Sequence, residues 1–229
     1  MVDMKALSNA HTLRDLKESH NVSLTSSVNS EKQKCQVGVS SDYVLNPIEK
    51  HCWFVFRVTY NQLNKVIDYL NSCQIITYFP QTYSLKNING KKKKVLVPLL
   101  PNIIFAYTTR EKANSVVKKS MCSCLKYYLD KTKNRELNGY HPPLTVKFSE
   151  MINFIKITHL NNEHVLAFSP EKIICKYKSG DKVRVVDGEF KGVVGRVARV
   201  AGQQRIVVEI EGLCVIATAY VPSSFIRPI

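Results

Sequence analysis

The pattern of apolar and polar positions divides the chain into three textures. Residues 1–50 hold eight serines, no tryptophan and no phenylalanine, and little periodicity. Beyond a short amphipathic turn around Leu13-Arg14-Asp15-Leu16-Lys17, this stretch cannot bury enough apolar surface to order itself, and it reads as a flexible tail ending near Asn46-Pro47. A dense pattern starts at His51. Cys52 to Val58 is aromatic and β-branched, a buried strand. Leu63, Val66, Ile67 and Leu70 recur at i, i+3, i+4, i+7, one face of a helix capped near Thr59 or Asn61. Ile75 to Tyr83 reads as a second strand, Asn89-Gly90 turns the chain, and Lys91 to Lys94 lead into Val95-Leu96-Val97. Ile103 to Tyr107 is a further strand. A helix follows from about Arg110, with Ala113, Val116 and Val117 inward. Leu125 to Leu129 has strand character, residues 134–143 form a loop, and Ser149 opens a short helix carrying Met151, Ile152 and Ile155. This order predicts an α+β fold, one antiparallel sheet flanked by helices.

The texture changes again around Ser169-Pro170. From Gly180, short β-branched runs are punctuated by Gly188, Gly192, Gly195, Gly202 and Gly212, with no helical period. Such a segment predicts a small five-stranded barrel, closed so that no strand edge is left exposed. The expected organisation is a tail over 1–50, a first domain over 51–168, a linker over 169–178 and a second domain over 179–229.

Composition narrows the functional classes. With 45% apolar and 22% charged residues in 229, most of the chain is globular. The most apolar stretch, Val95 to Tyr107, is thirteen residues long and contains Pro98 and Pro101, too short and too broken for a membrane helix. No secretory signal is visible at the N-terminus. Seven cysteines without repeated C-x-x-C spacing point to a reduced compartment, the cytoplasm, rather than to a disulfide framework or zinc site. Cys122 and Cys124 form C-x-C, but no second pair stands at useful spacing, and His159 and His164 do not share a helical face. No Gly-rich phosphate loop, Gly-x-Ser-x-Gly elbow or metal triad is present, so neither an enzyme nor a bound cofactor is expected.

Charge is informative through its placement. Of the net +15, residues 1–50 contribute zero (six basic, six acidic) and residues 178–229 contribute +3 (eight and five). Residues 51–177 contribute +12, from nineteen basic and seven acidic side chains. A strongly positive body between milder ends fits contact with a polyanion. Its densest run is Lys91, Lys92, Lys93 and Lys94, with Lys86 on the other arm of the expected hairpin. No aromatic residue interleaves these lysines along the chain, which favours phosphate contact over base stacking.

The run Gly180 to Val197 resembles the KOW motif, with Gly188, Phe190, Gly192 and Gly195 as its motif residues and the glycines at left-handed turn and bulge positions between strands. Trp53-Phe54-Val55 and the run Leu100-Pro101-Asn102-Ile103-Ile104-Phe105 resemble the N-terminal domain of the NusG family of transcription elongation factors. KOW motifs also occur in ribosomal proteins; the two features in this order and spacing are more specific than either alone. Met151 to Ile155, Asn162 to Val165 and Ala217 to Pro222 are similar to the UpxY-type NusG paralogues of Bacteroides-like bacteria. Asn102 stands where the family usually has Gly, and Ile103 where it has Tyr.

The resemblance implies a NusG N-terminal-type domain followed by a KOW barrel. It implies an antiterminator that binds the β′ clamp helices of RNA polymerase and suppresses pausing and premature termination in the leader of a capsular polysaccharide operon. Leu100, Pro101, Ile103 and Phe105 match the polymerase-facing strand. Alternation along that strand leaves open which of them face a partner and which face the domain's own interior. The lysine hairpin would reach non-template DNA or nascent RNA, and the KOW domain a ribosomal protein or Rho. The alternative is a KOW-type RNA-binding protein of the ribosome or its assembly; a general NusG is a third reading.

Overall fold

In a computed structural model, the described residues are 46–59, 62–119, 123–160, 162–168, 180–200 and 202–229. The expected tail, up to residue 45, and the expected linker 169–178 lie outside them, as does Cys122. The described elements belong to one unit, Gly38–Ile229.

The first sheet is built on β1 (His51–Val58), whose alternation separates two cores. Trp53 and Val55 point to one side, and Phe54, Phe56 and Val58 to the other. β5 (Ile103–Thr109) pairs antiparallel along one edge of β1, and β2 (Ile76–Tyr78) pairs with β5. Along the other edge lie β6 (Leu125–Tyr127) and β7 (Thr145–Val146), each antiparallel to β1. Two helices cover the Phe54 side: α1 (Leu63–Ser72) inserts Val66 and Leu70, and α2 (Arg110–Lys118) inserts Ala113 and Val116. Thr109 caps α2 by accepting the Lys112 N–H at 3.3 Å. On the other side lies α3 (Phe148–Thr158), with Met151, Phe154 and Ile157 buried.

Two sequence expectations shift here. The strand expected over Ile75–Tyr83 is two strands, β2 and β3 (Gln81–Ile88), separated at Phe79-Pro80 because proline offers no N–H to a ladder. Among the described residues β3 pairs only with β4 (Lys91–Pro98), so the hairpin is a two-stranded ribbon of its own. The last helix of this half starts at Phe148, and no side chain caps it. Ile152 and Ile155 are half-buried against the same core that takes Met151 and Phe154.

The C-terminal part contains β9 (Lys182–Val185), β10 (Val194–Val200), β11 (Gln203–Ile210), β12 (Cys214–Ala217), a single 3₁₀ turn at Ser223–Phe225 and β13 (Ile226–Pro228). The five-stranded closed barrel expected from the sequence is not what pairs. β8 (Leu166–Phe168) adds to β12 as a sixth strand, giving the antiparallel order β13-β9-β10-β11-β12-β8. Among the described residues, β13 and β8 are not paired with each other. Leu166-Ala167-Phe168 supplies an extended apolar triplet that the free edge of β12 takes up.

The two sheets share one interior. Trp53, Val55, Phe105 and Tyr107 from the first sheet, Met151, Phe154 and Ile157 from α3, and Val185, Ile206, Val208 and Ile210 from the second form a continuous buried cluster. Burial of this kind contributes about 25 cal/mol per Å² of apolar surface.

Candidate nucleic-acid and partner interface

The β3–β4 ribbon closes on Asn89 and Gly90, whose φ angles of +53° and +76° are the left-handed pair of a type I′ turn. The register pairs Leu85 with Lys94, Lys86 with Lys93, Asn87 with Lys92 and Ile88 with Lys91. Opposed residues share a face and neighbours along a strand alternate. Lys86, Lys91 and Lys93 therefore lie on one face, together with Ile88. Lys92 and Lys94 lie on the other, with Tyr83, Leu85 and Asn87.

All five lysines are exposed, but their surroundings differ. Lys94 Nζ sits 3.1 Å from the Glu163 carboxylate and 4.9 Å from the centre of the Tyr83 ring. Among the described residues, none of the other four makes an ion pair. No aromatic interleaves the lysines along the chain because Tyr83 comes from the opposite strand; folding places it on the Lys94 face.

The second sequence-predicted group is split by depth. Leu100 to Ile103 form a turn closed by the Ile103 N–H donating to the Leu100 carbonyl at 3.4 Å. Pro101 at the second position and Asn102 with φ +62° at the third are the pattern of a type II turn. Asparagine is the residue that tolerates this conformation best after glycine, so Asn102 keeps the turn. Pro101 is exposed and Leu100 half-buried against the shared core. Ile103 and Phe105 are interior: Ile103 is 7% exposed and Phe105 0%, its ring centre 5.1 Å from that of Phe154. Leu100 and Pro101 are thus the accessible part of this edge, and the two strand residues support it from beneath.

In the glycine-rich segment, Gly188 and Gly192 have φ of +79° and +82°, the left-handed turns between β9 and β10. Gly195 lies within β10, where an added Cβ would stand 2.5 Å from the Val207 carbonyl oxygen of β11. Phe190 is buried in the shared core. Of the glycines expected at left-handed turn and bulge positions, Gly188 and Gly192 hold left-handed turns, whereas Gly195 lies within a strand without a positive φ.

Contacts between α3 and the second sheet are polar as well as apolar. Asn153 Oδ1 accepts the Val194 N–H at 3.0 Å, and Lys156 Nζ donates to the Gly192 carbonyl at 3.5 Å. Asn162 Nδ2 donates to Glu189 at 2.8 Å, and the Asn162 carbonyl accepts Thr82 Oγ1 of the hairpin at 3.3 Å. Arg205 is buried and, among the described residues, makes no ion pair: Nη1 donates to the His164 carbonyl at 2.6 Å and the Thr218 carbonyl at 2.9 Å, and Nη2 to Gln203 Oε1 at 3.0 Å. The sequence reading missed Arg205, which is one of three arginines in neighbouring strands and has no local signal of burial.

Near the β11–β12 turn, Asp130 is buried. Its carboxylate accepts the Thr132 N–H at 3.1 Å and the Thr132 hydroxyl at 2.6 Å, and lies 3.1 Å from Lys133 Nζ. Burial pushes this carboxyl up, but the Thr132 and Lys133 contacts outweigh it and hold it below the usual carboxylate range. Among the described residues no cluster of His, Cys, Asp and Glu has the makings of a metal site, and no helix is long and apolar enough to cross a membrane.

The lysine ribbon and the Leu100–Phe105 edge fall within one stretch of the chain. Residues 51–138 match the NusG family model, described as transcription termination factor nusG. The match covers less than half of the chain, from β1 to the loop after β6, and stops before α3. No curated protein matches. Among solved structures, one described as "Domain interaction in Thermotoga maritima NusG" is similar at 16% identity and a TM-score of 0.37, over 79% of this chain and 98% of that one.

Proposed function

We propose that this chain is a transcription elongation factor of the antiterminator type, which binds RNA polymerase and suppresses pausing and premature termination. The observation that carries the reading is the NusG match over residues 51–138, the stretch that presents both the basic ribbon and the Leu100–Pro101 edge. The chain acts by binding, not by catalysis, and works in the cytoplasm without a cofactor.

In this reading the β′ clamp helices seat against Leu100 and Pro101, with Ile103 and Phe105 holding the edge in place. A few apolar anchors dominate such a contact. The lysine ribbon meets non-template DNA or nascent RNA. Holding the clamp against the nucleic acid shifts the enzyme toward its closed state by no more than the differential affinity for that state. The C-terminal sheet is a KOW module offered to a ribosomal protein or Rho, and the target is the leader of a capsular polysaccharide operon, as in the UpxY type.

Affinity capture of the full chain from lysate tests the partner. Recovery of RNA polymerase subunits supports the reading. Recovery of ribosomal subunits without polymerase replaces it with a KOW-type RNA-binding protein of the ribosome or its assembly.

A further inference from the structure

We infer that one face of β13, β9 and β10 binds the phosphate backbone of a nucleic acid through four cations, Lys182, Arg184, Arg196 and Arg227. The site is separate from the β3–β4 ribbon, and it adds a nucleic-acid contact to a sheet read above as a module for a protein partner.

The register carries the assignment. Lys182 stands directly opposite Arg196, and Arg184 directly opposite Arg227. Lys182 and Arg184 are two residues apart on β9, so alternation and pairing put all four side chains on one face. All four are exposed, whereas Val183 and Val185 are buried on the opposite face. The patch spans two strand spacings, about 10 Å, and about 7 Å along β9. Like charges directly opposite each other destabilise a sheet, and two such pairs stand side by side here. Among the described residues, no acidic side chain forms an ion pair with any of the four. Glu189 accepts from Asn162, and Glu209 lies opposite Val215, on the β12 side of β11. A bound polyanion removes the repulsion.

Two of the guanidiniums are already positioned. Arg196 Nη1 donates to the Gly180 carbonyl at 3.1 Å. Arg227 Nη1 donates to the Ser224 carbonyl at 3.1 Å and the Ile226 carbonyl at 2.9 Å. These uncharged acceptors orient the groups without cancelling their charge, and each guanidinium has further N–H donors. The planar fork of arginine matches the oxygens of a phosphate. The other residues on this face of the three strands are Val194, Ala198 and Val200, none of them aromatic. Base stacking and the aromatic anchors of a protein interface therefore have no support here, and contact with the sugar–phosphate backbone, blind to sequence, is what the face can make.

The test uses the full chain and two labelled probes of one mixed sequence, an RNA single strand and a DNA duplex. Binding is followed by anisotropy across a potassium chloride series. Replacing Lys182, Arg184, Arg196 and Arg227 together by Gln is expected to lower the log–log salt slope by up to about 3 units on the RNA strand, at about 0.7 per contact, or up to about 4 on the duplex, at about 0.9. The same loss is expected when Lys86, Lys91, Lys92, Lys93 and Lys94 are already Gln, because the two sites act separately. Combined Arg184→Lys, Arg196→Lys and Arg227→Lys is expected to weaken binding and keep the slope. Where the set of four misfolds, each opposed pair is replaced on its own.

A slope unchanged by the Gln set on both probes overturns the site. A loss seen only while the ribbon lysines are intact overturns its independence from the ribbon. An Arg→Lys set that binds as tightly as wild type overturns phosphate recognition by the guanidinium forks.

Discussion

The side-chain oxygen of Asn153 accepts the backbone N–H of Val194 at 3.0 Å, so the middle of α3 is hydrogen-bonded to the start of β10. The N–H lies where β9 and β10 turn over α3. Asn153→Ala leaves this donor unsatisfied and is expected to cost about 1–3 kcal/mol. Urea denaturation of the two proteins checks this. The midpoint falls with an unchanged slope, because the surface exposed on unfolding stays the same.

The turn at Leu100–Ile103 makes a second prediction. Asn102 holds φ +62°, a conformation that costs other L residues about 1–2 kcal/mol. Asn102→Gly is expected to leave stability unchanged or slightly raised, and Asn102→Val to lower it by about 1–2 kcal/mol. Thermal melting of both variants reads the difference. If valine is tolerated as well as glycine, the turn is not held in this form.

Thiol chemistry distinguishes two cysteines. Cys214 is buried in β12, and burial pushes its thiol up to about 12, whereas Cys52 is exposed at the start of β1. The thiolate is the reactive form. Alkylation of the native chain near pH 8 is expected to label Cys52 and spare Cys214, with both labelled after denaturation. Mass spectrometry of the digested protein gives the answer.

Acid stability follows from Asp130. Its carboxyl is held below the unfolded value of about 3.9, so it contributes stability above that pH and loses it as pH falls through the folded value. Asp130→Asn is expected to be less stable than wild type at pH 7. The gap should shrink as pH falls through the folded value and the wild-type carboxyl takes up its proton. Denaturation curves at pH 7 and across an acid series test this; a gap equally wide throughout contradicts it.

Much of the first sheet was legible because its signals are local. The Trp53-Phe54-Val55-Phe56 alternation, the i, i+3, i+4, i+7 face of α1 and the Asn89-Gly90 turn each carry their own geometry in a few residues. What was not legible depends on partners far along the chain. The addition of β8 to β12 joins residues about fifty apart and appears in no local period. The division of the lysines into two faces needs the β3–β4 register, and Tyr83 comes beside Lys94 only across the ribbon. Among the candidate site residues, spacing marked the Leu100–Phe105 run but left its depth open. Only the packing of α3 on β5, with Phe154 against Phe105, separates interior from accessible positions.

The central claim is action on a transcribing polymerase. The most direct measurement is a single-round transcription assay with purified RNA polymerase on a template carrying a leader pause and terminator, with the chain added after initiation. The account predicts shorter pauses and more read-through in proportion to the chain bound, and less of both when Leu100 and Pro101 are replaced by serine. Pausing and termination unchanged at saturating chain would contradict it.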